Sequence, residues 1–127
     1  MQKSILITGN RGSGKTTKAR EIASQFQNDE VVFICHRGKK THEDPFLFSK
    51  CTEKTKLVVF DELYDLKAVE ALFNMGSNTI TVNRMKKMPF TIEPKFVLVC
   101  KSEIEAEQLV ELGASFHRRF DVIECKR

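Results

Sequence analysis

Residues 9–16 of this 127-residue chain form the glycine-rich octapeptide GNRGSGKT, a motif that strongly constrains the secondary structure on either side of it. The octapeptide satisfies the pattern G-x-x-x-x-G-K-[ST], in which glycines let the backbone curl until successive N–H groups point at phosphate oxygens. An apolar run, Ser4–Thr8, precedes it, and apolar residues at helical spacing follow it. The pattern therefore predicts a strand, a tight loop and the N-terminus of a helix, whose partial positive charge favours an anion.

The residues of this phosphate loop have separate expected roles. We expect the Lys15 ammonium to reach the β and γ phosphates of a nucleoside triphosphate and to assist catalysis there. The Thr16 hydroxyl is expected to ligate Mg²⁺. The residues predicted to bind the nucleotide are Gly9, Asn10, Arg11, Gly12, Ser13, Gly14, Lys15, Thr16 and Thr17.

Two adjacent carboxylates, Asp61 and Glu62, come directly after the apolar run Leu57–Phe60. A strand that ends in acidic residues suits the magnesium-facing edge of a phosphate-binding sheet. Asp61 is expected to hold the hydration shell of Mg²⁺. Glu62 is expected to act as a general base that polarises the attacking water. The pair therefore favours hydrolysis of the bound nucleotide.

Five short apolar runs, rich in β-branched and aromatic residues, have the length of strands. Most are apolar at successive positions, which is typical of strands covered on both faces, as in a parallel sheet. Helical patterns extend from Lys15 to Phe26 and recur over Leu66–Phe73 and Ala106–Gly113. We therefore predict one domain over residues 1–127, a three-layer α/β sandwich with a five-stranded, mostly parallel sheet. The predicted strands are Ser4–Thr8, Val31–Cys35, Leu57–Phe60, Phe96–Cys100 and Phe120–Glu124.

One interval breaks this alternation of strands and helices. Two β-prone arms, Thr79–Val82 and Met88–Ile92, flank a basic and polar segment. This arrangement predicts a β-hairpin inserted before the fourth strand of the sheet. Its tip carries Arg84, Lys86 and Lys87, which are the candidates for binding nucleic acid through phosphate contacts.

Composition adds little beyond these motifs. The chain has 21 Lys and Arg against 17 Asp and Glu, a net charge of +4, so a polyanionic partner is allowed but not required. No apolar run approaches the ~20 residues of a membrane span, and no membrane partner is expected. Four cysteines without a C-x-x-C pair predict free thiols and a cytoplasmic location.

With these motifs in this order, the chain resembles the AAA+ class of P-loop ATPases. More narrowly, it is similar to the ATPase core of the superfamily 3 helicases of small viruses and mobile elements. The resemblance runs from about Ser4 to Glu124 and implies ATP and Mg²⁺ as cofactors. It also implies a polar sensor after the strand that follows the hairpin. Where that family has Asn, this chain offers Ser102, which would orient a water or a γ-phosphate oxygen.

The same resemblance implies a role for Arg118 and Arg119, which precede the last predicted strand. In a parallel sheet these arginines lie at the edge opposite the phosphate loop, ~17 Å away over five residues of strand. An arginine side chain does not cover that distance easily within its own subunit. It would instead reach the nucleotide of a neighbour, as a trans arginine finger in a head-to-tail ring. The expected partners are therefore further copies of the chain, or an associated protein, and single-stranded nucleic acid.

Two other functions are compatible with a phosphate loop in a chain of this size. One is a small nucleotide or nucleoside kinase, although the paired carboxylates favour water as the acceptor. The other is a nucleotide-gated loader or regulatory module, in which hydrolysis times the release of a partner. Phosphate release without an acceptor separates the ATPase from the kinase.

Overall fold

β-branched and aromatic residues form the strands of this protein, whose computed structural model describes residues 4–9, 12–35, 48–63, 80–100 and 117–125. The chain enters the sheet at once, and the phosphate loop separates its first strand from a nine-residue helix. The elements, in chain order, are β1 Ser4–Gly9, α1 Lys15–Ala23, a 3-10 turn Asn28–Glu30, β2 Val31–Cys35, β3 Leu57–Leu63, β4 Ile80–Arg84, β5 Lys87–Ile92, β6 Lys95–Cys100 and β7 Phe120–Cys125.

Five of these strands form one sheet in the order β2-β3-β6-β1-β7, and every neighbouring pair is parallel. All five predicted strands are therefore confirmed, as is the predicted class of sheet. Because the strands are parallel, their carboxyl ends meet at one edge, where the chain leaves β1 and enters the phosphate loop. β1 is the fourth of the five strands, between the central strand β6 and the edge strand β7, so the loop lies toward the β7 side of that edge.

The sheet buries apolar side chains on both faces, which explains why its strands are apolar at successive positions. One face packs with the hairpin formed by β4 and β5, and the other packs with α1. The hairpin face includes Leu6, Val58 and Leu98, covered by Ile80, Val82 and Ile92. The helix face includes Ile7, Val59 and Val99, covered by Ala19 and Ile22.

The hairpin lies where the sequence predicts it, before the fourth strand of the parallel sheet, and pairs with itself as a separate two-stranded ribbon. Its strands reach Arg84 and Lys87, so the turn is the pair Met85–Lys86, shorter than the expected polar tip. Lys86 adopts a left-handed φ of 60°, as tight hairpin turns require. The register shifts between Val82 and Arg84. Pro89 lies opposite this shift, where its missing N–H costs no regular ladder bond.

The helix that starts at Lys15 is confirmed, but it ends at Ala23 rather than continuing to Phe26. The Ser24 hydroxyl donates to the Glu21 carbonyl, 2.6 Å away, and tight turns follow. Phe26 still packs against the helix-face core from the turn beyond the helix. The predicted helices over Leu66–Phe73 and Ala106–Gly113 lie outside the described residues.

The side chains of three cysteines, Cys51, Cys100 and Cys125, are described, and all three are free thiols. Cys51 and Cys100 are buried, and Cys125 is half-buried. This agrees with the expectation that the cysteines behave as small apolar residues. None of the described helices is long and apolar enough to cross a membrane.

Candidate nucleotide site

The phosphate loop is closed by a hydrogen bond between its two ends. Lys15 begins α1, and its ammonium donates to the carbonyl oxygen of Gly9, the last residue of β1, at 2.7 Å. Lys15 is buried, at 8% exposure, although it carries a positive charge. Gly12 and Gly14 have φ of 78° and 89°, backbone conformations that residues with a Cβ adopt only at a cost in free energy. The glycine pattern therefore encodes the curl of the loop.

Glycine is required at position 9 for a different reason, because β7 approaches it closely. Gly9 pairs with Cys125, and a Cβ at Gly9 would overlap the Cys125 carbonyl oxygen. The same Cβ would lie 2.7 Å from the Ser13 hydroxyl. Because a backbone carbonyl within a sheet cannot move aside easily, this position accepts no side chain. The sequence motif alone does not reveal that β7 forms this wall of the loop.

The loop offers hydrogen-bond donors of the kind that an anion needs. The Ser13 hydroxyl is buried, and no residue in the described part of the chain is its hydrogen-bond partner. Thr16 and Thr17 are exposed in the first turn of α1, which contains no acidic residue to offset its positive end. A buried ammonium, an unpaired hydroxyl and an uncompensated helix N-terminus suit a polyphosphate. Asn10 and Arg11 lie outside the described residues.

The two carboxylates predicted to face the metal lie at an irregularity of β3. The strand extends to Leu63, and its register with β6 shifts between Phe60 and Leu63. Between these pairs, β3 advances by three residues while β6 advances by two, so Asp61 and Glu62 form a β-bulge. Bulges redirect side chains and occur beside many active sites. The Asp61 side chain is half-buried, and for Glu62 only the backbone is described.

The strand order decides how Asp61 can contact a bound metal. β6 lies between β3 and β1, so Asp61 is two strand spacings, ~10 Å, from the strand that feeds the loop. That span suits a carboxylate that holds the waters of Mg²⁺ while phosphate oxygens and Thr16 contact the ion. In the described ranges, no cluster of three or more His, Cys, Asp or Glu residues could hold a metal by itself.

Cys100 ends the intervening strand, close enough to Lys15 for the two to interact electrostatically. Burial raises the pKa of the Cys100 thiol to about 12, and the Lys15 charge opposes this rise only in part. The thiol is therefore neutral at physiological pH and does not compete with phosphate for the ammonium. Ser102, the predicted sensor, follows it and lies outside the described residues.

The structure places the two arginines where the geometric argument expects them. Phe120 pairs with Ser4 and Cys125 with Gly9, so Arg118 and Arg119 precede β7 at the edge opposite the loop. Arg118 is exposed and Arg119 is half-buried. They do not belong to the nucleotide site of their own chain.

The hairpin separates the three basic residues that the sequence groups together. Lys86 and Lys87 are exposed at the turn, beside Met85 and Met88, which are 76% and 85% exposed. Arg84 instead lies back along the stem, with its guanidinium carbon 4.8 Å from the centroid of the Phe90 ring. The spacing of the basic residues contains no signal for this split, because it depends on how β4 pairs with β5.

Comparison with known proteins agrees with this fold and loop. The sequence matches the AAA domain family over residues 1–84. The structure is similar to JCV helicase bound to a small-molecule acetamide, with TM-score 0.66 and 16% identity over 98% of this chain and 36% of that one. It is also similar to the apo NrS-1 C-terminal region, with TM-score 0.60 and 16% identity over 98% of this chain and 29% of the other.

A third similar structure is NtrX from Brucella abortus in complex with ADP, with TM-score 0.53 and 14% identity over 98% of this chain and 32% of NtrX. This chain spans about a third of the length of these proteins. No curated protein matches the sequence significantly.

These observations define a P-loop nucleoside triphosphatase domain with a parallel sheet and an inserted hairpin. Since the family match covers well over half of the sequence, the chain belongs to the AAA domain family. The predicted resemblance to the AAA class is confirmed by the family match, and the fold is similar to that of JCV helicase.

Proposed function

We propose that this chain is a Mg²⁺-dependent ATPase and a helicase-like motor core that acts on single-stranded nucleic acid in the cytoplasm. The observation that carries the proposal is the closed phosphate loop, in which Lys15 is held on Gly9 beside the unpaired Ser13 hydroxyl. Membership of the AAA domain family supports the same class of activity.

In this proposal, the loop amides and Lys15 hold the β and γ phosphates, and the negative charge that develops on the γ-phosphoryl group is balanced by the ammonium. Thr16 and Asp61 would hold Mg²⁺, directly and through water respectively. The bound ion would add further positive charge at the phosphate oxygens. Glu62 would take a proton from the attacking water, and Ser102 would orient that water or a γ-phosphate oxygen.

Arg118 and Arg119 complete the site of a neighbouring copy in the proposed assembly. Their position at the far edge of the sheet, ~17 Å from the loop of their own chain, supports a trans role. In a head-to-tail ring, the edge that carries these arginines in one copy faces the phosphate loop of the next. The monomer is therefore expected to hydrolyse ATP slowly and the assembled form faster.

The hairpin supplies the proposed contact with nucleic acid. Lys86 and Lys87 are exposed at its turn and would contact phosphates without reading the sequence of bases, while Arg84 would contribute from the stem. The exposed Met85 and Met88 provide apolar surface beside these charges. Binding by two or three cationic side chains is expected to weaken steeply as salt increases.

The experiment that tests the proposal measures phosphate release from ATP with Mg²⁺, with and without a single-stranded oligonucleotide. We expect release without any nucleoside acceptor, and a loss of ~100-fold or more in Asp61→Asn and in Glu62→Gln. The matched control is Glu21→Gln, which removes an exposed carboxylate of α1 and should leave the rate unchanged. Formation of ADP that requires a nucleoside acceptor, without release of phosphate, would identify a kinase instead. Turnover unaffected by either active-site variant would exclude the proposed mechanism.

A further inference from the structure

A cavity of about 670 Å³ lies at the edge of the sheet opposite the phosphate loop. It is bounded by the turn before β2, the segment before β3 and the stem of the hairpin. Because Val31 and Leu57 begin these two parallel strands, the cavity is at the amino edge, separated from the nucleotide site by the length of the strands. It is therefore a different site from the one described above.

Arg84 is the residue of the cavity wall whose hydrogen-bonding capacity is not fully used in the described ranges. Its guanidinium lies over the Phe90 ring, and both residues line the cavity. Its Nε is buried and has no hydrogen-bond acceptor in the described ranges. A desolvated guanidinium donor without an acceptor is costly. A bound oxyanion would remove that cost once the Arg84 side chain turned its Nε toward the cavity.

The other charges of the wall leave Arg84 and Lys50 as the cations available to an anion. Lys54 lies 3.7 Å from the Asp29 carboxylate, and this exposed pair adds no net charge to the wall. Lys50 and Glu53, both exposed on turns, are the other charged residues there. The wall thus combines an aromatic ring, a stacked guanidinium and a second cation.

We propose that this cavity binds one nucleotide unit, with its phosphate on Arg84 and Lys50 and its base against the Phe90–Arg84 pair. Bases stack on aromatic rings and on arginine guanidinium planes, and phosphates bind guanidinium groups through paired hydrogen bonds. The volume lies within the usual range of small-ligand pockets. The nucleotide unit comes either from a strand that runs along the hairpin or from a free mononucleotide. Only the strand source rests on the proposed nucleic-acid function.

The test uses the full chain carrying Lys15→Met, so that nucleotide binding at the phosphate loop does not contribute. A fluorescent oligothymidylate and free thymidine monophosphate are titrated separately, by anisotropy and calorimetry. In this background we compare Arg84→Met, which keeps an unbranched apolar side chain but loses the guanidinium, with Lys54→Met, a cation of the same wall that is already paired. We expect Arg84→Met to weaken binding roughly tenfold or more and Lys54→Met to change it less than about twofold.

The two probes distinguish a nucleic-acid strand from a free mononucleotide as the source of the bound nucleotide unit. Arg84-dependent binding of the oligonucleotide alone identifies a strand, and Arg84-dependent binding of the monophosphate as well identifies a mononucleotide site. Equal binding by the parent and Arg84→Met, in variants with unchanged thermal unfolding, would overturn the proposal. So would Arg84-dependent binding of an acidic peptide in preference to both probes. If Lys86→Ala with Lys87→Ala abolishes strand binding while Arg84→Met does not, the cavity proposal fails and the proposed hairpin function stands.

Discussion

The ammonium of Lys15 donates a hydrogen bond to the carbonyl oxygen of Gly9 across the mouth of the phosphate loop, at 2.7 Å. The bond joins the last residue of β1 to the first residue of α1 and is buried. The Gly9 carbonyl is a neutral acceptor, whereas the phosphates of a nucleotide would offer Lys15 charged ones. Charged acceptors form the stronger hydrogen bonds.

Lys15→Met should weaken nucleotide binding while preserving most of the fold. The methionine keeps the length and the apolar part of the side chain, but it loses the ammonium that meets the phosphates. We expect affinity for a fluorescent ATP analogue to fall ~10- to 100-fold, the worth of one charge-assisted hydrogen bond. Lys18→Met is the matched control, since Lys18 lies on the same helix and pairs with Glu21 at 3.5 Å. Equal affinities in the two variants would contradict the assigned role.

Gly9→Ala should destabilise the protein more than Gly14→Ala, although both glycines belong to the same loop. The added methyl group at Gly9 meets the Cys125 carbonyl oxygen, whereas nothing lies within 4 Å of a Cβ at Gly14. Gly14→Ala should therefore lower the free energy of unfolding only by the cost of a left-handed alanine, about 1–2 kcal/mol. Gly9→Ala adds overpacking, for a total of roughly 3 kcal/mol or more. Urea unfolding of the two variants checks the order, and equal losses would mean that β7 does not form the wall of the loop.

Replacing Arg118 and Arg119 by Ala should slow ATP hydrolysis without weakening ATP binding. Both precede Phe120, which pairs with Ser4 at the edge opposite the loop, so in the proposed assembly they would assist a neighbouring copy. For arginines that act as fingers, the expected loss is ~10³-fold or more in turnover. The measurement is ATPase rate per mole over a range of protein concentrations, with Arg20→Ala, an exposed arginine of α1, as control. A rate that is independent of concentration and unaffected by the double variant would exclude assembly in trans.

Glu30→Gln should destabilise the protein at neutral pH but not in acid. One Glu30 carboxylate oxygen accepts from the Gln27 backbone N–H at 3.0 Å, and the other lies 2.7 Å from the Lys56 ammonium. The hydrogen bond from Lys56, with that from Gln27, lowers the pKa of Glu30 below its ordinary value. The added stability is therefore present above the ordinary glutamate pKa and is lost as pH falls through the lowered value.

Thermal unfolding at about pH 7 and at about pH 3 checks this linkage. The parent should unfold at a higher temperature than Glu30→Gln at the first pH, and the difference should shrink at the second. The control is Glu21→Gln, because the Lys18–Glu21 pair is exposed and contributes little. A difference between the parent and Glu30→Gln that is independent of pH would assign the effect to packing rather than to charge.

The strands and the loop were predictable because each is encoded by neighbouring residues. Continuous apolar runs such as Phe96–Cys100 indicate strands buried on both faces, and they form the centre of the sheet. The end of α1 was less predictable, since Phe26 continues the helical spacing while packing from a turn. The bulge at Asp61 and Glu62 was not predictable either, because it depends on how β3 aligns with β6.

Local sequence was therefore sufficient for the phosphate loop, the order of the strands along the chain and the presence of a hairpin, because backbone sterics and the spacing of apolar residues act over a few positions. The spatial order of the strands depends on contacts between distant segments. Those contacts bring Cys125 against Gly9 and insert β6 between Asp61 and the loop. Packing of side chains far apart in the chain decides such neighbours, and no local pattern carries that information.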